Sequence, residues 1–485
     1  MTVEHLDVVI VGSGISGISA AYHLQKECPN KRFAIMESRQ SLGGTWDLFR
    51  YPGIRSDSDM FSLGFGFKPW RGAKAIAEGH CILDYLKETS RENSIDKHIR
   101  YGHALKAANW SSADACWELR VEREEGNLTL RCNVLLMCAG YYSYESGHTP
   151  DFPQSDTFSG TIVHPQQWPE NLDYANKKIV VIGSGATAVT LVPEMSKTAS
   201  HVVMLQRSPT YYASWPAIDG FANFLRRFLP ERIAYRMARA KNIASTQLLY
   251  HLSRSRPEMF KRLLISGVRK QLSPGYDVDK HFTPSYTPWE QRLCLVPDGD
   301  LFETINSGKA SIVTDHIDSF TEHGVLLTSG QVLEADIIVT ATGLKPTLLG
   351  NVDFTLDATP IDFTNTYSYK GLMYSNVPNM VSTFGYINNS WTLRADLTAD
   401  FVCRLINHMD THGARQCTPR LRDEDRNMPA RDWISDFSSG YMKRLLKLYP
   451  KQGDREPWIN PQRYSVDKKL IGEGDIDDGV LEFNH

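Results

Sequence analysis

No apolar run in the chain approaches the ~18 residues that a bilayer-spanning helix needs, so no membrane span is expected. The eight cysteines (28, 81, 116, 132, 138, 294, 403 and 417) include no CxxC or CxxxxC pair. A zinc site and a dithiol redox couple are therefore not expected, and buried, reduced thiols in a cytoplasmic protein are. No charge of one sign dominates: the formal net charge is -3, which supplies no overall attraction for nucleic acid. Met1-Thr-Val-Glu-His-Leu-Asp7 lacks the basic start and cleavage site of a signal peptide.

What is present is an ordinary globular composition, 41% hydrophobic and 22% charged, over 485 residues. That length exceeds what one core usually supports, so two or three domains are expected.

Leu6 to Val11 reads as a buried parallel strand and runs into Gly12-Ser-Gly14-Ile-Ser-Gly17, followed by a helical pattern. A second strand, Phe33-Ala-Ile-Met36, ends at Glu37, at the distance where a dinucleotide fold places an acid for ribose hydroxyls. The glycines permit a tight turn and the approach of a pyrophosphate to a helix N-terminus. Gly43-Gly44-Thr45-Trp46 and Tyr51-Pro52-Gly53, up to Asp57, read as a loop pressed against something flat. His103–Trp110, Trp117–Glu122, Leu128–Asn133 and Val134–Cys138 read as a meander and a return to the parallel sheet.

The same pattern recurs. The strand Lys178–Ile182 is followed by Gly183-Ser-Gly185-Ala-Thr-Ala188, and the next strand, His201–Leu205, ends at Gln206-Arg207-Ser208. An arginine where an NAD site would present an acid suits a 2'-phosphate. FAD is therefore expected at the first turn and NADPH at the second. Asn389 or Ser390 is expected to cap a helix running to about His408.

Between the second turn and the return of its sheet lies a largely helical stretch. Residues 221–270 hold twelve Lys or Arg against Glu231 and Glu258, a basic face suited to solvent, a membrane surface or an acidic partner. The expected architecture is α/β: two Rossmann-like dinucleotide-binding domains, the NADPH domain inserted in the FAD domain, with a helical insert in the NADPH domain. The expected divisions are 1–145 and 385–485 for FAD, 146–215 and 325–384 for NADPH, and 216–324 for the insert.

Phe158-x-Gly160-x-x-x-His164-x-x-x-Trp168-Pro169, just before the second turn, resembles the signature of type I Baeyer-Villiger monooxygenases. Gly43-Gly44-x-Trp46-x-x-x-x-Tyr51-Pro52-Gly53-x-x-x-Asp57 resembles that family's second signature. The resemblance covers nearly the whole chain and is nearest to the ethionamide-activating monooxygenase subgroup. It implies an FAD-containing, NADPH- and O2-dependent enzyme whose C4a-peroxyflavin inserts oxygen beside a ketone carbonyl, giving an ester or lactone, and which also oxidises sulfides and thioamides. It further implies that Arg292 stabilises the peroxyflavin anion with Asp57 as its acidic partner. The position of Phe158, Gly160, His164 and Trp168, between the first flavin segment and the strand at Lys178, makes this stretch a linker expected to couple nucleotide binding to domain closure through His164 and Trp168. Many family members carry a lysine before this arginine; Gln291 stands there instead, leaving Arg207 and Ser208 to hold the 2'-phosphate. Trp458 matches a C-terminal tryptophan of larger members only loosely.

Two other readings remain open at this level: a flavin-containing monooxygenase acting mainly on sulfur or nitrogen, and a non-catalytic flavoprotein whose basic helices bind a membrane or an acidic partner.

Overall fold

Val8, Val9 and Ile10 are completely buried, so the strand that carries them, β1 (Glu4–Val11), lies inside a parallel array. The computed structural model describes residues 3–435 and 440–485, so the first two residues of the N-terminal run lie outside it. After β1 come α1 (Ile15–Glu27), β2 (Phe33–Met36), the one-turn helix α2 (Met60–Leu63) and β3 (Ile99–Arg100). The meander follows as β4 (Ala104–Ser111), β5 (Cys116–Glu122) and β6 (Leu128–Met137). The two segments expected at 128–133 and 134–138 are one strand. Cys132 and Val134 both pair with β1 across Asn133, so the polar residue interrupts the pattern without breaking the ladder.

Two crossing strands join the halves of the molecule. β7 (Tyr142–Gly147) leads out to β8 (Thr161–Val163), β9 (Lys178–Ile182), α3 (Ala186–Met195) and β10 (His201–Gln206). β11 (Tyr212–Trp215) precedes three helices, α4 (Gly220–Phe228), α5 (Glu231–Ser255) and α6 (Pro257–Gln271). β12 (Cys294–Pro297) pairs with β11 and closes this excursion.

β13 (Ala310–Thr314) then pairs in parallel with β10. A three-stranded meander follows, β14 (Ile317–Thr321), β15 (Gly324–Leu327) and β16 (Val332–Glu334), and leads to β17 (Ile337–Thr340). The second sheet has the order β13-β10-β9-β17-β8. β18 (Leu344–Pro346) returns antiparallel to β7, so both passages between the sheets form one ribbon. β19 (Asp353–Leu356) and β20 (Met380–Ser382) then pair with β4 and β6 of the first sheet. That sheet is nine-stranded and is covered by α7 (Trp391–His412), which packs on α1.

These pairings correct two expected boundaries. The insert does not reach 324, because β13 is a member of the second sheet. The second sheet does not extend to 384, because the chain has rejoined the first sheet by Asp353. Between 353 and 382 the strands are short and separated by turns, and β19 and β20 find their partners in the distant meander. Trp458 is completely buried, and its indole donates to Asp425 at 3.0 Å in the first core, so it belongs to packing.

Candidate active site

Gly12 has φ +104°, and a Cβ there would lie 2.6 Å from the carbonyl of Cys138, where β6 ends. Gly183 repeats the arrangement, with φ +133° and a Cβ position 2.4 Å from the carbonyl of Ala341, just beyond β17. Each turn is thus pressed against the exit of the neighbouring parallel strand, in a backbone conformation that a side chain would strain. Neither Gly14 nor Gly185, the N-cap residues of α1 and α3, supplies a side-chain cap. The first amides of both helices therefore remain available to an anion.

A cavity of about 700 Å³ connects the two turns. Gly12, Gly14, Glu37, Gly44, Thr45, Trp46, Asp57, His164 and Arg292 line it, and Ala186, Thr187 and Thr190 of α3 contribute from the second sheet. Gly17 lies behind the first turn, where its Cβ would meet the carbonyl of Gly12 at 1.9 Å. Glu37 is buried; one carboxylate oxygen accepts from the Ser13 amide and hydroxyl at 2.9 and 2.8 Å, the other from the Arg39 amide at 3.0 Å. A carboxylate offers about four acceptor positions, so the group that closes the turn can still take a ribose hydroxyl. A Cβ at Gly44 would sit 3.1 Å from Gly14 Cα, filling the cradle between the turn and the loop. At Gly185 a Cβ would meet nothing within 4 Å, leaving open space for a phosphate. These features fit FAD at the first turn and a second dinucleotide at the other.

The loop expected to press on something flat bridges the halves. Tyr51 is buried in the core of the second sheet, and Gly53, at φ +74°, approaches Glu194 of α3. This brings Asp57 to Arg292, 235 residues further on, and the two form an ion pair on the cavity wall. Nearby, Arg55, which also lines the cavity, pairs with Asp300.

The stretch from Phe158 to Trp168 is only partly at the cavity. Phe158 is buried edge-on against Phe320, with ring centroids 6.4 Å apart, and Gly160 gives room to the carbonyl of Asp336, 2.3 Å from a Cβ built there. Trp168 packs against the core of the second sheet. His164 Nδ1 accepts from the Gln166 amide at 3.2 Å, so Nε2 is the protonated nitrogen, facing the carbonyl of Gly343 at 3.3 Å. Its ring lies over Gly147, where a Cβ would come within 1.8 Å. Gln166 and Gln167 donate to the carbonyls of Ser143 and Glu145, both at 2.7 Å. The segment therefore grips β7 and the start of β18, the two passages between the sheets.

Gly183, Gly185 and Ala188 occupy the second turn and its helix, with Ala188 completely buried. Arg207 and Ser208 are exposed at the end of β10, away from the cavity lining. Thr210, two residues beyond Ser208, hydrogen-bonds Ser184 of the turn at 2.8 Å, which brings this strand end beside it.

Several lining or supporting residues escaped the sequence reading. Trp391 stacks on Tyr141, centroids 5.5 Å apart, and donates to Ser16 Oγ at 2.8 Å. Ser390 stands at the N-cap of α7, as expected, but its side chain makes no capping bond and faces Ser62 instead. Arg39 joins the Glu37 strand end to buried Asp47 of the loop through an ion pair at 2.7 Å. Gln166 and Gln167 had one available signal, their place inside the first signature; Arg39 had none.

Burial holds His148, His164 and His281 below the ordinary histidine range. Above about pH 7.5 these groups are neutral in both states and contribute no pH dependence. Below it the unfolded chain takes up the protons first, so stability is lost as pH falls from the unfolded value through the lowered folded ones. Unfolding midpoints in denaturant should therefore drop between about pH 7.5 and 5.5; equal midpoints would contradict the burial argument.

A flavin-binding monooxygenase-like family model matches residues 75–351, and an NAD(P)-binding Rossmann-like domain model matches residues 10–69. The FAD-containing monooxygenase EthA of Mycobacterium tuberculosis is 52% identical over 481 residues, covering 99% of this chain and 98% of the relative. Its namesake in Mycolicibacterium smegmatis is 50% identical over 482 residues, covering 99% and 97%. The probable FAD-binding monooxygenase AlmA of Acinetobacter baylyi is 48% identical, covering 99% and 96%. Among solved structures, an oxidized steroid monooxygenase bound to NADP superposes with a TM-score of 0.79 at 20% identity, with 99% of each chain covered. The similarity in sequence covers 99% of the chain and at least 97% of each EthA relative: the chain belongs to the flavin-binding monooxygenase-like family and is a relative of the EthA-type FAD-containing monooxygenases.

Proposed function

We propose that the chain is an NADPH- and O2-dependent Baeyer-Villiger monooxygenase that converts ketones to esters or lactones and also oxidises sulfides and thioamides. The observation that carries this reading is the Arg292–Asp57 ion pair on the wall of the cavity that joins both dinucleotide turns. In this reading the first sheet holds FAD and the second holds NADPH. Gly12, Gly14 and Gly17 form the FAD turn, Glu37 takes the ribose, and Gly44, Thr45 and Trp46 line the flavin's surroundings. Gly183, Gly185 and Ala188 form the NADPH turn.

Reduced FAD, once bound, supplies activation of dioxygen. The chain's own task is to keep the transferable oxygen nucleophilic and shielded. A guanidinium stays charged throughout the working pH range, so Arg292 stabilises an anion without donating a proton to it. Asp57 holds that guanidinium in place. His164, Gln166 and Gln167 fix the crossing strands between the two halves, so the segment is suited to transmit nucleotide binding to closure of the cavity.

The test is a single assay. NADPH oxidation, oxygen uptake and ester formation from a methyl ketone should rise together; oxygen recovered only as peroxide would overturn the assignment. Running a thioether beside the ketone separates it from the heteroatom-directed reading.

Arg207 and Ser208 are assigned to the 2'-phosphate. Arg207→Gln should raise the NADPH KM by about tenfold or more, the effect of losing a charge-assisted hydrogen bond, and leave NADH turnover nearly unchanged. Equal effects on both nucleotides would remove Arg207 from this role. We place the enzyme in the cytoplasm, where its reductant is found; no helix of the described residues is long and apolar enough to cross a membrane.

A further inference from the structure

The helical insert has an apolar face that nothing in the described chain covers. On α4, Phe221, Phe224 and Phe228 stand at i, i+3 and i+7 and are 42%, 59% and 71% exposed. The rings of Phe224 and Phe228 lie 5.1 Å apart. On α5, Ile233, Met237, Ala240, Ala244 and Leu248 recur at helical spacing, all exposed. An amphipathic helix ordinarily turns such a stripe into the core.

Here the inward faces are already occupied. Ala222 and Leu225 of α4, and Ala234, Tyr235, Ala238, Asn242 and Ser253 of α5, are the buried positions. Tyr235 donates to the carbonyl of Phe65 at 2.9 Å, and Arg239 donates to the carbonyls of Phe61, Ser62 and Gly64 at 2.8, 3.1 and 2.6 Å, binding α5 to α2. The outward stripe is thus what remains after the fold has used the other side. Cations rim it: Arg227, Arg232 and Arg236 are exposed, and Lys241 lies 5.5 Å from the centre of the Phe221 ring. Over 221–270 twelve Lys or Arg face only two Glu, and one of these, Glu231, is engaged by Arg71 at 2.7 Å.

We propose that the outward face of α4 and α5 docks on an anionic lipid bilayer, with Phe224 and Phe228 entering the boundary between headgroups and acyl chains and Arg227, Arg232 and Arg236 meeting lipid phosphates. A protein partner would have to match the shape of a convex row of rings. A bilayer accepts apolar side chains without matching shape, and its surface charge complements the rim. Docking is peripheral and makes no demand on the active site.

The test is co-sedimentation of the purified, flavin-loaded protein with vesicles of phosphatidylcholine and phosphatidylglycerol, alongside vesicles of phosphatidylcholine alone. Binding to the mixed vesicles should be about tenfold or more tighter than to the neutral ones, and should weaken as salt rises. Phe224→Ser with Phe228→Ser should weaken it about tenfold or more. Arg232→Gln and Arg236→Gln should each cost about fivefold. Both sets of variants should oxidise NADPH with a water-soluble substrate at the wild-type rate, because none of these residues lines the cavity. Wild-type protein left in the supernatant, or equal binding to both vesicle types, would overturn the proposal. So would a stable oligomer that the phenylalanine variant disperses without change in vesicle binding, which would assign the face to a second copy of the chain.

Discussion

Arg292→Ala should lower oxygenated product by about 100-fold or more, the usual effect of removing one electrostatic stabiliser from a preorganised site. NADPH oxidation should persist, with the oxygen recovered as peroxide. The two effects separate because hydride transfer needs only the nucleotides in place, whereas oxygen transfer needs the anion held at the cavity wall. Asp57→Ala should show a smaller loss of the same kind, since the guanidinium remains but loses its carboxylate partner. Arg292→Lys keeps a positive charge on a more flexible stem and should fall between wild type and alanine. The decisive measurement is the ratio of product to NADPH consumed. An alanine variant that kept the wild-type ratio would show that the Arg292–Asp57 pair is structural, and the proposed mechanism would lose its main support.

The second large effect concerns stability. Arg394 and Asp467 are both fully buried and meet at 2.6 Å, while Arg394 also donates to the carbonyl of Lys370 at 2.8 Å. Asp467→Asn leaves a buried guanidinium without its counter-charge and should cost about 3–5 kcal/mol in denaturant unfolding. The pair itself is imperfectly satisfied: Arg394 Nε and Asp467 Oδ1 have no hydrogen-bond partner, and burial pushes the Asp467 carboxyl upward. The double variant Arg394→Met, Asp467→Leu should therefore lie far closer to wild type than the single one, because apolar groups of similar size carry no desolvation penalty. If the double variant were as unstable as Asp467→Asn, the ionic interaction would be a net stabiliser after all. The site is also at stake. Arg394 is one turn along α7 from Trp391, whose indole holds Ser16 beside the first turn. Flavin retained per chain after gel filtration should fall in the single variant for that reason.

Much of this was legible from local pattern. The strands before Gly12 and Gly183 are short apolar runs whose burial follows from composition, and the glycines occur where a turn with positive φ demands them. Asn133 misled because a polar residue in a strand resembles a boundary, although its neighbours Cys132 and Val134 pair on across it. β13, β19 and β20 were missed because each is short and mixes polar with apolar residues, unlike the uninterrupted apolar run of β2. Gln166 and Gln167 sat inside a recognised signature without a role until β7 was seen to supply their acceptors.

The sequence alone determined that there are two dinucleotide turns, that the first ends near an acid and the second near an arginine, and that a basic helical stretch lies between the second turn and its sheet's return. These depend on contacts within a few tens of residues, where spacing and backbone preference decide the outcome. Only the tertiary structure decided that both turns open into one cavity and that Asp57 meets Arg292 there. It also decided that His164 grips both crossings and that the phenylalanines of α4 point outward. Such outcomes depend on how two separately formed sheets pack through the loop around Tyr51 and Gly53, and on which helix faces remain once that packing has used the others.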